Sequence, residues 1–184
     1  APPAPAAPAA AFRTFDESAD LSALAATPIT VVCAGVKSIL DVQATLERLE
    51  TLSVGLVGYG TDTFPGFYIR DTGLPVPARV NTPAQVAELA DLRARLQLPQ
   101  ALVVANPVPA SSALDRAVHD EVLATGLAAL ETARVRGKDV TPFLLAWFHE
   151  HTRGASLQAN IDLVLANAQL ASQVALAQTA VSTR

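Results

Sequence analysis

The chain has no methionine and a single cysteine, and among its thirteen basic residues only Lys37 and Lys138 are lysines. Each scarcity excludes something. Without a methionine the sequence does not open on an initiator, so it reads as a fragment or a processed product. One cysteine forbids an internal disulfide and fits a reducing, cytoplasmic setting. Set in an apolar run, Cys33 reads as a small core hydrophobe. No basic run occurs, and 17 acidic side chains outnumber the 13 basic ones, so neither nucleic acid nor an anionic membrane is expected as a partner. No apolar segment is long enough to span a bilayer. Residues 1–11, uncharged alanine, proline and nothing else, lack the positive start and bulky core of a secretory signal. Also missing are a phosphate-cradling glycine loop, a dinucleotide fingerprint, a nucleophile elbow and the spacing of a cysteine-histidine zinc site. The common nucleotide-binding and hydrolase classes are thereby removed.

What is present suits one α/β domain of 184 residues. Residues 1–13 read as a tail or linker and 14–184 as the domain. The pattern predicts strands at 29–33, 54–59 and 101–105, with a helix over 38–52 between the first two. That βαβ unit makes its strands parallel. The first strand, continuous and β-branched, reads as buried on both faces. A short edge strand is expected near 67–70, and Thr82-Pro83 marks a helix start. From residue 112 onward the pattern is helical: 115–136 stopped by Gly137, a helix opened by Thr141-Pro142, and a last one capped by Ser156 and reaching about 179. The predicted architecture is an α/β/α sandwich with a mainly parallel sheet and a helical C-terminal third.

Two places carry chemistry. The first is Lys37, which follows the strand through the small turn Ala34-Gly35. There it is expected at or just before the first helical turn, facing the positive end of the helix dipole, at the strand ends where α/β proteins bind ligands. A solvated turn lysine is the plain alternative. A desolvated amine for imine chemistry with a carbonyl is the functional one. The second place is the cluster Asp16, Glu17, Ser18, Asp20, which reads either as a capped, solvated helix start or as oxygen ligands for Mg²⁺ or Mn²⁺. Asn106, at the end of the third strand, and Gly58 to Asp62, at the end of the second, can line the same edge as Lys37. Asn160 either points into a site or is exposed. His149 and His151 stand two apart, not the four of a zinc-protease helix, and read as surface residues.

Taken together, residues 14–21, 31–41, 49–51, 58–59, 105–107, 137–145 and 156–168 resemble the pseudouridine-5′-phosphate glycosidases, the indigoidine synthase A-like family. That resemblance implies cleavage of the C–C glycosidic bond of pseudouridine 5′-phosphate to uracil and ribose 5-phosphate, with Mn²⁺ or another divalent cation and a homotrimeric assembly. It makes Lys37 the Schiff-base nucleophile, Asp16 the metal ligand, and Ser18, Ala19, Asp20 and Asn160 substrate contacts. It also places a general-acid glutamate and a phosphate-binding lysine ahead of residue 14, where residues 1–13 carry neither. Part of the domain's apolar surface is then expected to lie uncovered. Where the family resemblance implies arginine and glycine, this chain has Trp147 and Arg153. The alternative reading is a non-catalytic remnant that binds sugar phosphate or a partner subunit.

Overall fold

The structure, a computed structural model, describes residues 17–37 and 40–181. Its elements in chain order are α1 (Ala19–Ala26), β1 (Thr30–Cys33), α2 (Val42–Thr51), β2 (Gly55–Tyr59), β3 (Arg79–Val80), α3 (Pro83–Arg95), β4 (Leu102–Ala105), α4 (Arg116–Thr132), a 3₁₀ turn (Gly137–Asp139), α5 (Val140–His151) and α6 (Ala155–Val181). The four strands form a parallel sheet in the order β1-β4-β2-β3. β1 and β2 are parallel as the βαβ reading requires, with β4 inserted between them.

β4 organises the packing. All four of its residues are buried, and their alternation sends side chains to opposite layers. Leu102 and Val104 meet Val86 of α3 and Leu170 and Val174 of α6. Ala101 and Val103 meet Leu49 of α2, with Leu21 and Leu24 of α1 against them. The sheet thus lies between two helical layers, as expected. A third cluster forms beyond the carboxyl ends of the strands, where Ala34, Tyr68, Val108, Val122, Leu144, Phe148, Ala159 and Leu163 come together.

Local chemistry explains the helix starts. Thr82 and Gln85 form a reciprocal capping box ahead of α3, with Pro83 in its first turn. Asp41 caps α2 by accepting from the Ala44 amide at 2.9 Å, and Asp115 caps α4.

Several expectations need correction. β1 is half-buried, not buried on both faces, because it pairs only with β4 and is an outer strand. The helix expected over 38–52 begins at Val42, since Asp41 supplies the cap; Ser38 and Ile39 lie outside the described residues. No strand forms near 67–70. That segment is a tight turn in which Phe67 has φ +65° and the Gly66 amide donates to Ile69 O at 2.9 Å; the last strand of the sheet is Arg79–Val80 instead. α4 ends at Thr132, ahead of Gly137, because Arg134 turns left-handed at φ +54°. α5 begins at Val140, led by the 3₁₀ turn, not at Thr141. Ser156 is buried one residue inside α6, and its amide donates to Thr152 Oγ1, so it does not cap.

Phe148 is the anchor of the third cluster. Its side chain is fully buried, stacked on Tyr68 at 5.2 Å and tilted against His119 at 5.6 Å. Phe148→Ala should therefore destabilise the chain by about 3–5 kcal/mol, which lowers the melting temperature by roughly 10 °C for a domain of this size. Leu157→Ala, at a half-exposed position on α6, is expected to stay within about 0.5 kcal/mol. Equal losses in a thermal melt would place the core elsewhere.

His119 makes the same cluster pH-sensitive. Burial pulls its pKa below the ordinary value, and the contact between Nδ1 and Asp120 Oδ1 at 2.9 Å only partly opposes that. In the unfolded chain the imidazole takes up its proton near its usual pKa of about 6.5. The stability tied to a neutral, buried His119 is thus fully present above that pH and is lost as pH falls toward the depressed folded value. The urea midpoint should drop between pH 7.5 and pH 5, and His119→Gln should flatten that drop. A variant as pH-sensitive as the parent would assign the effect to another group.

Among the described residues, α6 also presents an outward apolar row that includes Leu157, Ile161, Val164, Leu165 and Leu176. No described helix is long and apolar enough to cross a membrane.

Candidate functional site

Lys37 leaves the carboxyl end of β1 through Ala34 and Gly35. Gly35 has φ +82°, and a Cβ there would sit 1.9 Å from Pro65 O. Only glycine lets the two backbones approach so closely. The loop after β1 is then clamped to 65–67 by the bridge between Gly35 and Gly66 and by the Phe67 amide, which donates to Ala34 O at 3.0 Å. Lys37 is half-buried, with Nζ 5.7 Å from the centroid of the Phe67 ring. The Leu40 amide donates to Lys37 O at 2.8 Å and closes a turn ahead of the Asp41 cap. Lys37 therefore stands upstream of the helix, five residues before Val42 opens α2.

The neighbouring strand end adds amides. The Asn106 backbone donates to Cys33 O at 2.8 Å, joining the ends of β4 and β1, and its side chain donates to Asn167 Oδ1 of α6 at 3.0 Å. Asn160 lies two helical turns before Asn167, on the same face of α6. It is half-buried, and no described residue hydrogen-bonds its amide. At the end of β2, Asp62 pairs with Arg79 at 2.7 Å, so that carboxylate is engaged within the sheet edge. Burial pushes the Cys33 thiol above its ordinary value, and a hydrogen bond with the Gly35 backbone offsets only part of the rise.

The acidic cluster is only partly described, because Asp16 lies outside the described residues. Ser18 caps α1, accepting from the Asp20 amide at 3.2 Å, and Ala19 and Asp20 are exposed in its first turn. Glu17 is held by Arg48 of α2 at 3.0 Å. Among the described residues no hydrogen bond or ion pair joins this turn to the Lys37 loop. Nor does any group of three histidine, cysteine, aspartate or glutamate side chains stand ready to share a metal ion among them. The helix cap engages Ser18 and the pair with Arg48 engages Glu17.

His149 and His151 are exposed as expected, and His151 stacks on Trp147 at 3.9 Å. Arg153, where the resemblance implied glycine, has φ +51°, a backbone state that glycine adopts without strain. A cleft of about 420 Å³ between β1, α3 and α6 is lined by Pro28, Ile29, Arg93, Leu98 and Val174 among others. It opens at the amino end of β1, the end away from Lys37. Sequence patterning missed Phe67, read as strand, and Asn167; for the latter, the spacing of seven from Asn160 was an available signal.

Chains of known description resemble this one closely. A pseudouridine-5′-phosphate glycosidase from Salinispora tropica is 57% identical over 171 residues, which are 92% of this chain and 53% of that protein. One from Legionella pneumophila is 47% identical over 166 residues, covering 89% and 53%. The chain spans about half the length of the curated relatives it matches. Among solved structures, the prealnumycin C-glycosynthase AlnA in complex with ribulose 5-phosphate superposes with a TM-score of 0.88 at 31% identity, over 94% of this chain and 57% of that one. An indigoidine synthase A-like protein from Thermotoga maritima gives 0.76 at 37% identity, over 87% and 53%. The profile described as indigoidine synthase A like protein matches residues 7–177, nearly the whole chain, and so the chain belongs to that family.

Proposed function

We propose that this chain carries the nucleophilic part of a pseudouridine-5′-phosphate glycosidase, with Lys37 forming an imine to C1 of the ring-opened ribose. The observation that carries the reading is a half-buried lysine clamped at the carboxyl edge of a parallel sheet, in a chain 57% identical to a protein of that description. The C-glycosynthase whose fold it shares was solved with a pentulose phosphate, an open-chain carbonyl compound of the kind an amine can address.

The chemistry suits a C-glycoside. The bond to be broken joins two carbons, so there is no leaving oxygen to protonate as in ordinary glycoside hydrolysis. The lysine amine adds to C1 as the bond from C1 to the ring oxygen breaks, and that oxygen takes a proton as the C4 hydroxyl, leaving an open-chain amine still joined to uracil. The nitrogen lone pair then forms the cationic imine as the C–C bond breaks, the bond's electron pair passing to the uracil carbon, which takes a proton, and water hydrolyses the imine to free the lysine. Overall, pseudouridine 5′-phosphate and water give uracil and ribose 5-phosphate. Asn160, whose amide no described residue engages, is the substrate contact this reading favours on α6; Ser18, Ala19 and Asp20 are the contacts at the start of α1. Asp16 would hold a divalent cation, Mn²⁺ by resemblance, which supplies positive charge near substrate oxygens. Homotrimeric assembly and a cytoplasmic setting belong to the same reading.

Reduction with borohydride in the presence of ribose 5-phosphate, followed by peptide mapping, tests it. The adduct should lie on the Lys37 peptide. Equal labelling of Lys37 and Lys138 would sink the assignment. A second reading is sugar-phosphate binding without turnover, favoured by the ribulose 5-phosphate complex of the C-glycosynthase whose fold this chain shares. Trapping at Lys37 without uracil release from pseudouridine 5′-phosphate would select that one.

A further inference from the structure

We propose that Phe67 is a positioning residue for Lys37, its ring face holding first the lysine ammonium and then the cationic imine that replaces it. The inference rests on the Lys37 reading above and adds a residue to it. Nζ lies 5.7 Å from the ring centroid, within the roughly 6 Å over which a ring quadrupole attracts a cation. Among the described residues no carboxylate forms an ion pair with Lys37, so the ring is the stabilising partner the structure gives it.

The ring is also held in place at a conformational cost. Phe67 has φ +65°, in a region that bulky residues rarely occupy and that persists only where surrounding contacts over-determine it. Those contacts are on both sides. The Phe67 amide donates to Ala34 O, the Tyr68 amide donates to Gly66 O at 2.7 Å, and the Phe67 ring meets the edge of Tyr68 at 4.9 Å and 82°. Tyr68 in turn stacks on the buried Phe148. The face offered to Lys37 is thus tied to the core.

The reaction explains why a neutral π face suits this position. Ammonium and aldehyde give a protonated imine and one water, so the nitrogen bears one positive charge before and after. A ring face stabilises the charge in both states and adds no base.

The test uses the full chain and reads the amine directly. Competitive acetylation across pH, with Lys138 as internal reference, gives the apparent pKa of Lys37 without any sugar present. Phe67→Leu is expected to move that profile to lower pH, and borohydride trapping of ribose 5-phosphate should slow about threefold. Phe67→Tyr should retain the parent profile. Phe67→pentafluorophenylalanine keeps the ring's shape and reverses its face potential, and should lower the pKa at least as far as leucine does, which guards against a folding defect in the leucine variant. An unchanged profile in both the leucine and fluorinated variants overturns the proposal, as does an equal shift in leucine and tyrosine variants. If the shifts appear as expected but no variant or parent traps sugar, Phe67 stands as the residue positioning Lys37 and the imine reading falls.

Discussion

Lys37→Ala is expected to reduce the borohydride-trapped adduct with ribose 5-phosphate at least about a hundredfold, down to the background set by Lys138 and the terminal amine. The size of the effect follows from the composition. With two lysines in 184 residues, few side-chain amines compete, so loss of the positioned one is directly visible. Fold loss is not a confounder, because Lys37 is half-buried, lies outside every helix and strand, and contributes no ion pair among the described residues; the thermal midpoint should move by no more than about 0.5 kcal/mol equivalent. Lys37→Arg keeps the charge over Phe67 but offers no nucleophile, and should trap no more than alanine does. Parent-level trapping by either variant would remove Lys37 from the chemistry.

Gly35→Ala should have the second largest effect, on the loop and on the trapping together. A methyl at that position would lie 1.9 Å from Pro65 O and 2.8 Å from its carbonyl carbon, both backbone atoms that no rotamer change can move aside. The left-handed backbone at φ +82° adds strain of about 1–2 kcal/mol for any L side chain. A total near 3 kcal/mol or more is expected, relieved by separation of the β1 loop from 65–67. Hydrogen exchange reads this at one amide: Phe67 N–H, bonded to Ala34 O in the parent, should lose most of its protection. Trapping at Lys37 should fall more than tenfold, since misplacing a reacting group by an ångström is enough for that. Parent-like protection at Phe67 with parent-like trapping would show that the two loops are not coupled.

Much of this fold was legible from residue types because local and global preferences agree in it. β4, Leu-Val-Val-Ala, is a continuous apolar run, which is what burial on both faces selects. Thr82, Pro83 and Gln85 state the start of α3 three ways. The failures share a different cause. Aromatic Phe64, Phe67 and Tyr68 look like strand residues, yet Pro65 and the close approach of Gly35 fold them into a turn, a tertiary effect that no window of neighbours contains. The helix after β1 was placed too early because the apolar period runs on through Ile39, whereas the chain enters the helix only at the Asp41 cap. Arg134 ends α4 in a left-handed conformation that its residue type does not announce.

The site divides in the same way. Lys37 was legible because lysine is rare here and the position follows a strand. Phe67 and Asn167 were not, because they reach the strand ends from distant parts of the chain. The acidic turn kept two readings in the sequence, and its described part, Ser18 with Glu17, is accounted for by helix capping and by the pair with Arg48.

The outer position of β1 has a thermodynamic consequence. Among the described residues that strand has one neighbour, and its other edge carries backbone donors and acceptors of the kind another strand can engage. Any polypeptide that pairs there, or covers the apolar row of α6, binds the folded chain in preference to the unfolded one. Mass action then adds stability in proportion to the logarithm of its concentration, about 2.7 kcal/mol at one hundred times its dissociation constant. Midpoints of parent and variant chains therefore belong to a stated protein concentration, and a midpoint that rises with protein concentration identifies self-association as the source.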